Sequence, residues 1–294
     1  MAPAAPPTPA LSLRDVVALS GRFPLLAGVD LEVGTGEVVL VEGPNGAGKT
    51  SLLRVAAGLV PVTSGRLTVL GLDPERYRTA VRRRVGMLAH ASHLYDDLNV
   101  RENVRFAVRA AGADPGRIGP ACERLGLTGR LLRTSAAKLS AGQRRRVALA
   151  VLVARAPDLW LLDEPHAGLD ASARTLLDEL IGEAVATGAT VVVASHEPEL
   201  LEPLADRSVT VSGGRVTGER SIRSPVADVP VPVRAVGSAA PASGPPVERV
   251  GSAEPAAGPP EGVGSAAPAA GPPEGVGSAE PAAGPPVERV AHVA

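Results

Sequence analysis

Residues Gly43-Pro44-Asn45-Gly46-Ala47-Gly48-Lys49-Thr50 match the pattern G-x-x-x-x-G-K-[ST] in full, with Ser51 directly after it. The chemistry open to such a segment is phosphate binding. Glycines let successive backbone N–H groups turn inward around an anion, and the positive end of a following helix adds to the attraction. Lys49 has the reach to meet β- and γ-phosphates, the Thr50 hydroxyl can coordinate Mg²⁺, and Ser51 can donate to an α-phosphate. Only Lys49 and Lys138 are lysines, in a chain otherwise rich in arginine. A rare residue type at the position the chemistry demands argues against an incidental glycine-rich turn.

Two further segments carry reactive or anion-binding groups. In Leu159-Trp160-Leu161-Leu162-Asp163-Glu164-Pro165, four apolar residues predict a buried strand with two adjacent carboxylates at its C-terminal end, where open α/β sheets place ligands. Asp163 suits a Mg²⁺ shell and Glu164 suits polarising an attacking water. Read alone, Asp-Glu-Pro is equally a solvated turn after a strand; beside a phosphate loop the chemical reading is the stronger. In Leu139-Ser140-Ala141-Gly142-Gln143, Ser140 is a good N-cap, and the loop N–H groups with the helix dipole favour an anion. The sole glutamine of the chain, Gln143, falls there. The competing reading is an ordinary capped helix with Arg144–Arg146 as its solvated face.

Leu139–Gln143 resembles the Leu-Ser-Gly-Gly-Gln signature of the ABC-transporter ATPases, and Lys49, Ser140, Asp163 and His196 occur in that family's order. The resemblance covers roughly Leu11–Arg223, about three quarters of the chain. It implies an α/β P-loop fold of the ABC ATPase type, a mainly parallel sheet core with a helical subdomain. It implies ATP and Mg²⁺ as cofactors, with ATP on Gly43–Ser51 and the metal on Thr50 and Asp163. Catalysis would fall to Glu164 with His196, which matches the family's switch histidine. Ser140, Ala141, Gly142 and Gln143 would bind the γ-phosphate of ATP held by the other subunit. Gly168-Leu169-Asp170 resembles the loop that couples the two sites, with Asp170 meeting the partner.

The sequence departs from the family pattern in three places. Ala141 stands where glycine is usual. No glutamine lies between Thr50 and Ser140, although the family normally has one at the metal and the water; His90, at the end of Val85–His90, stands at that place. It either takes over the contact, bringing a pKa near the physiological range, or is displaced from the site. The aromatic residue that usually stacks on adenine falls, by counting back from Val29-Asp30-Leu31, at Ser20; Phe23, three residues on, is the candidate adenine contact.

His90–Asn103 and Asp163–Asp170 look like the ATPase subunit of the haem exporter used in cytochrome c maturation, where a histidine also replaces the glutamine. His90, His93 and His166 invite a haem- or metal-ligand reading, but such sites need convergent, fixed ligands and these histidines lie beside the nucleotide segments. The resemblance therefore implies an ATP-hydrolysing subunit that powers export, of haem by the subfamily likeness. It would work as a homodimer or with a similar ATPase, on separate polytopic membrane subunits, peripheral at the cytoplasmic side of the cell membrane. The cleft near His90–Asp97 is the expected docking site. Competing readings are an exporter of drugs, lipids or antibiotics with the same engine, a soluble ABC ATPase acting on ribosomes or DNA, and an interaction scaffold built on the tail.

Positioning these residues requires strands and helices in alternation. Val38–Val41 predicts a strand into the glycine loop, Thr50–Leu59 a helix ending near Gly58, and Arg66–Leu70 a strand. Gln143–Ala154 has helical spacing, and Leu159–Leu162 and Thr190–Ala194 read as buried parallel strands. Between Leu94 and Leu139 the strand signal disappears, and Val100–Ala111 and Pro120–Leu125 read as helices of an insertion. This pattern predicts an α/β domain over Leu11–Arg223.

Composition narrows the class further. The 294 residues carry a formal net charge of −1, and residues 1–223 hold 27 basic against 24 acidic groups, too even a balance for a nucleic-acid binder. A single cysteine, Cys122, excludes a disulfide framework. Met1–Ala10 reads as a disordered Pro/Ala arm without the charged start and apolar core of a secretory signal. The longest apolar run, Val147–Ala154, is far short of the ~20 residues that span a bilayer. From Ser224 onward, Gly-Ser units begin at Gly237, Gly251, Gly264 and Gly277, with Pro-Pro pairs and no aromatic residue. That composition predicts a disordered tail over 224–294.

Overall fold

A computed structural model describes residues 8–223, and the predicted tail and the first seven residues of the arm lie outside the described residues. The strands are β1 (Leu11–Ser20), β2 (Phe23–Val33), β3 (Val38–Glu42), β4 (Ser64–Val69), β5 (Val85–Leu88), β6 (Leu159–Asp163), β7 (Thr190–Ala194), β8 (Arg207–Ser212) and β9 (Arg215–Ser221). The helices are α1 (Lys49–Ala56), α2 (Arg78–Arg84), α3 (Val100–Ala111), α4 (Ile118–Arg124), α5 (Ala141–Arg155) and α6 (Ala171–Ala186). The arm needs correcting at its last residue. Ala10 is buried, its N–H bonded to the Val33 carbonyl at 2.8 Å, so the folded chain starts ahead of β1.

Six strands form one sheet in the order β5-β6-β7-β3-β8-β9, parallel throughout except for β9. All residues of β6 and β7, and all of β3 but Glu42, are buried, as expected of parallel strands covered on both faces. Side chains alternate between those faces. Val39, Val41, Leu161, Val192 and Val209 pack with α1 and the second sheet, whereas Leu40, Leu162, Val191 and Val193 pack with α3, α5 and α6. On α1, Leu52, Leu53 and Val55 are buried, and at about 1.5–3 kcal/mol each they fix the helix that carries Lys49 and Thr50.

The strand expected around Arg66–Leu70 forms, as β4, but in a separate antiparallel sheet of order β2-β1-β4. In the insertion, α3 has the predicted bounds. Asn99 caps it through a box in which its side chain accepts from Glu102 N and the Glu102 carboxylate accepts from Asn99 N, and left-handed Gly112 ends it. The second predicted helix starts earlier, at Ile118, because a capped turn at Pro115–Arg117 leads into it.

Candidate functional site

The glycine loop leaves the end of β3 and turns into α1 through backbone that only glycine supplies without strain. Gly43 has φ +139°, and a Cβ there would lie 2.1 Å from the Val211 carbonyl oxygen. Gly48, the N-cap of α1, has φ +112°. Lys49 is buried, with Nζ donating to the carbonyls of Gly43 at 2.6 Å and Pro44 at 3.3 Å. Its charge is thus held at the loop rather than by a carboxylate.

Because β6 lies two strands from β3, its C-terminal carboxylates come to the same sheet edge as this loop. Thr50 Oγ1 lies 3.0 Å from both carboxylate oxygens of Asp163. Burial pushes the Asp163 carboxyl above the usual range, the Thr50 hydrogen bond opposes this, and the neighbouring Glu164 charge adds to it. A cleft of about 380 Å³ is lined by Pro24, Leu25, Asn45–Ser51, His90, Asp163 and Glu164.

Glu164 occupies the left-handed region, φ +47°, and its N–H donates to the Ala194 carbonyl at 2.9 Å. That turn brings its carboxylate to the end of β7. Oε2 lies 2.6 Å from His196 Nδ1, accepts from His196 N at 3.2 Å and faces Ser195 Oγ at 3.5 Å. Lys49, Thr50, Asp163, Glu164 and His196, distant in sequence, therefore meet at one edge of the sheet.

Other sequence-selected residues are distributed as follows. His90, next after Ala89 at the end of β5, is on the wall of the cleft. Phe23 is 79% exposed at the start of β2, opposite Ser20 across the hairpin; the cleft is lined by its neighbours Pro24 and Leu25 instead. His93 faces a different hollow, beside Tyr95 and Phe106, and His166 is buried with Nε2 2.8 Å from Asp178 Oδ1. The three histidines do not converge.

Ser140 caps α5 through a reciprocal box, its Oγ accepting from Gln143 N at 3.2 Å and Gln143 Oε1 accepting from Ser140 N at 3.0 Å. None of Ser140, Ala141, Gly142 and Gln143 lines the cleft of its own chain, and Gly142 faces open space. Asp170 caps α6, with Oδ1 accepting from Ala173 N and Ser172 Oγ, both at 2.8 Å. The Ala173 and Ser172 bonds hold its carboxyl below the usual range.

Of Arg144–Arg146, only Arg146 keeps a substantially solvated side chain, paired with Asp170 at 3.3 Å. Arg144 is half-buried on Asp96, Ser92 and the Ala136 carbonyl, and Arg145 is buried with its guanidinium against the backbone of Ala89, Asp163 and Glu164. Burial lowers the Arg145 pKa, and the Asp163 charge opposes this. A signal was present in the sequence. Arg145 is four residues before Leu149 and seven before Leu152, on the buried stripe of α5.

Residues 26–167 match the ABC transporter family. The chain is 36% identical over 216 residues to the sn-glycerol-3-phosphate import ATP-binding protein UgpC 1 of Rhizobium johnstonii, covering 70% of this chain and 57% of that protein. It thus spans little more than half the length of that relative. It is 38% identical over 189 residues to the cytochrome c biogenesis ATP-binding export protein CcmA 2 of Cupriavidus metallidurans, covering 64% of this chain and 89% of that one. Among solved structures, a dimeric ATP-binding cassette in a post-hydrolysis state, bound to ADP and Pi, superposes with a TM-score of 0.67 at 26% identity. The match covers 73% of this chain and 99% of that one.

Proposed function

This chain belongs to the ABC transporter family of ATP-binding subunits, and we propose that it hydrolyses ATP to drive export through separate membrane subunits, with haem for cytochrome c maturation as the cargo. The observation that carries the hydrolytic part is the convergence of Lys49, Thr50, Asp163 and Glu164 on one cleft behind a glycine loop. In this reading the loop N–H groups and Lys49 hold the phosphates, the lysine exchanging its two loop carbonyls for phosphate oxygens. Glu164 orients the attacking water, and His196, already hydrogen-bonded to Glu164 Oε2, fixes the carboxylate's direction.

The donor set fits Mg²⁺. Thr50 and Asp163 supply hard oxygen ligands 3.0 Å apart, and Asp163 is a buried carboxylate with a second carboxylate, Glu164, beside it. When bound there, the metal neutralises charge on the phosphates. The signature residues lie off their own chain's cleft, which suits a head-to-tail dimer in which Ser140–Gln143 of one copy close over the nucleotide of the other. Asp170 would face the partner at the same junction.

Two observations support haem export. The export relative is matched over 89% of its length, against 57% for the import relative, and His90, which stands at the glutamine's position in the sequence, lines the cleft wall. The import relative, at similar identity, supports a second reading, the same engine on an importer. No helix among the described residues is long and apolar enough to cross a membrane; in this reading the chain sits peripherally on the cytoplasmic side of its membrane partner. The test is co-purification of the tagged chain from gently solubilised membranes, with partners identified by mass spectrometry. A haem-handling polytopic partner is the expected result; a solute-import permease would replace the cargo, and recovery only from the soluble fraction with ribosomes or DNA would overturn transport.

A further inference from the structure

The Arg145 guanidinium joins three segments on which the proposed reaction depends. Nη1 donates to the Ala89 carbonyl at 2.6 Å, directly before His90, and Nη2 donates to the carbonyls of Glu164 at 2.8 Å and Asp163 at 3.4 Å. The side chain leaves α5 two residues after Gln143, so one planar cation ties the first turns of the signature helix to the ends of β5 and β6. Its partners are all neutral backbone oxygens, it is 7% exposed, and its Nε has no hydrogen-bond partner. A buried cation so arranged is a poor way to stabilise a fold, because an apolar side chain of similar volume usually does as well. Packing alone therefore explains it badly.

Glu164 supplies the second observation. Its left-handed backbone is unfavourable for a residue with a side chain and persists only where the surroundings hold it. They hold it on both sides: the N–H is bonded to the Ala194 carbonyl, and the carbonyl to Arg145. From this conformation Oε2 reaches His196.

We propose that Arg145 is a positioning residue for ATP hydrolysis, holding the Glu164 turn and the Ala89–His90 junction in register with the signature helix of the same chain. The assignment rests on the ATPase reading above. α5 carries its own control. At its far end Arg155 donates to the carbonyls of Arg82 at 2.8 Å and Val85 at 2.9 Å, also with an unpaired Nε, at the opposite end of β5 and off the cleft.

The experiment is steady-state ATPase kinetics with thermal melts on the full chain, for wild type, Arg145→Met, Arg145→Lys, Arg155→Met and Glu164→Gln. Loss of the Arg145 fork should lower kcat at least about tenfold while KM stays within about threefold, since a small misplacement of a reacting group is enough for such a loss. Arg145→Lys should stay equally slow, because a compact ammonium lacks the planar two-pronged fork that meets the Ala89 and Glu164 carbonyls from separate nitrogens. Arg155→Met should keep kcat within about twofold even where its Tm falls as far. A folded Arg145→Met with wild-type kcat, or equal kcat losses in the Arg145 and Arg155 variants, overturns the assignment. If Arg145→Met does not fold, a folded Arg145→Lys with wild-type kcat does the same. A wild type no faster than Glu164→Gln sinks the ATPase reading, and this assignment with it.

Discussion

His196 Nδ1 lies 2.6 Å from Glu164 Oε2, and the His196 backbone N–H donates to the same oxygen at 3.2 Å. Two nitrogens from the end of β7 thus converge on one carboxylate oxygen at the end of β6, an arrangement possible because those strands are neighbours in the sheet.

From that contact, His196→Ala should lower kcat by about 10²-fold, within the range for loss of an acid–base partner, because the carboxylate loses a director. Nucleotide affinity, measured by equilibrium binding, should change little. An equal fall in affinity would make His196 a binding group instead.

Thr50 Oγ1 and the Asp163 carboxylate form the expected metal position. Chelation of Mg²⁺ by EDTA should abolish turnover reversibly, and Asp163→Asn should reduce it by at least about 10²-fold at saturating ATP. Undiminished hydrolysis in EDTA would remove the metal from the account.

Ser140→Ala removes one half of the reciprocal box with Gln143 and should cost about 1 kcal/mol of stability, read by urea melts. It should also weaken ATP-dependent dimerisation in analytical ultracentrifugation. Dimerisation at wild-type strength would place the signature outside the interface.

Asp170 has its carboxyl depressed by the Ala173 N–H and the Ser172 hydroxyl, so its cap strengthens the folded state above the ordinary carboxylate range and is lost as pH falls through the depressed value. Asp170→Ala should therefore lower Tm at neutral pH, with the difference narrowing as the pH drops through the acid range. Asp170→Asn, which still caps, should lower it less. A pH-independent difference would contradict this origin.

How much of this was legible depended on how far each segment obeys a simple period. β3, β6 and β7 are short apolar runs buried on both faces and were readable as such, with the carboxylates of Asp163 and Glu164 at the predicted strand end. α3 announces itself through Asn99, Glu102 and Gly112. By contrast, β1 pairs with register shifts after Leu13 and Val16 and carries Asp15 at φ +48°, so its alternation is broken. β9 has no buried residue and no apolar stripe to detect. Within the site, the motif residues were legible because the phosphate-loop and carboxylate patterns have a fixed spacing and residue type. Arg145 was legible as a buried residue, from the stripe it shares with Leu149 and Leu152, but its contacts were not, since they go to carbonyls at the ends of two strands and a carbonyl carries no trace of residue type.

The most direct measurement is turnover and ATP-dependent dimerisation of Glu164→Gln beside wild type. The account predicts that the variant binds ATP with near wild-type affinity, loses turnover by at least about 10²-fold and accumulates as an ATP-bound dimer. Unaltered turnover in Glu164→Gln would contradict it.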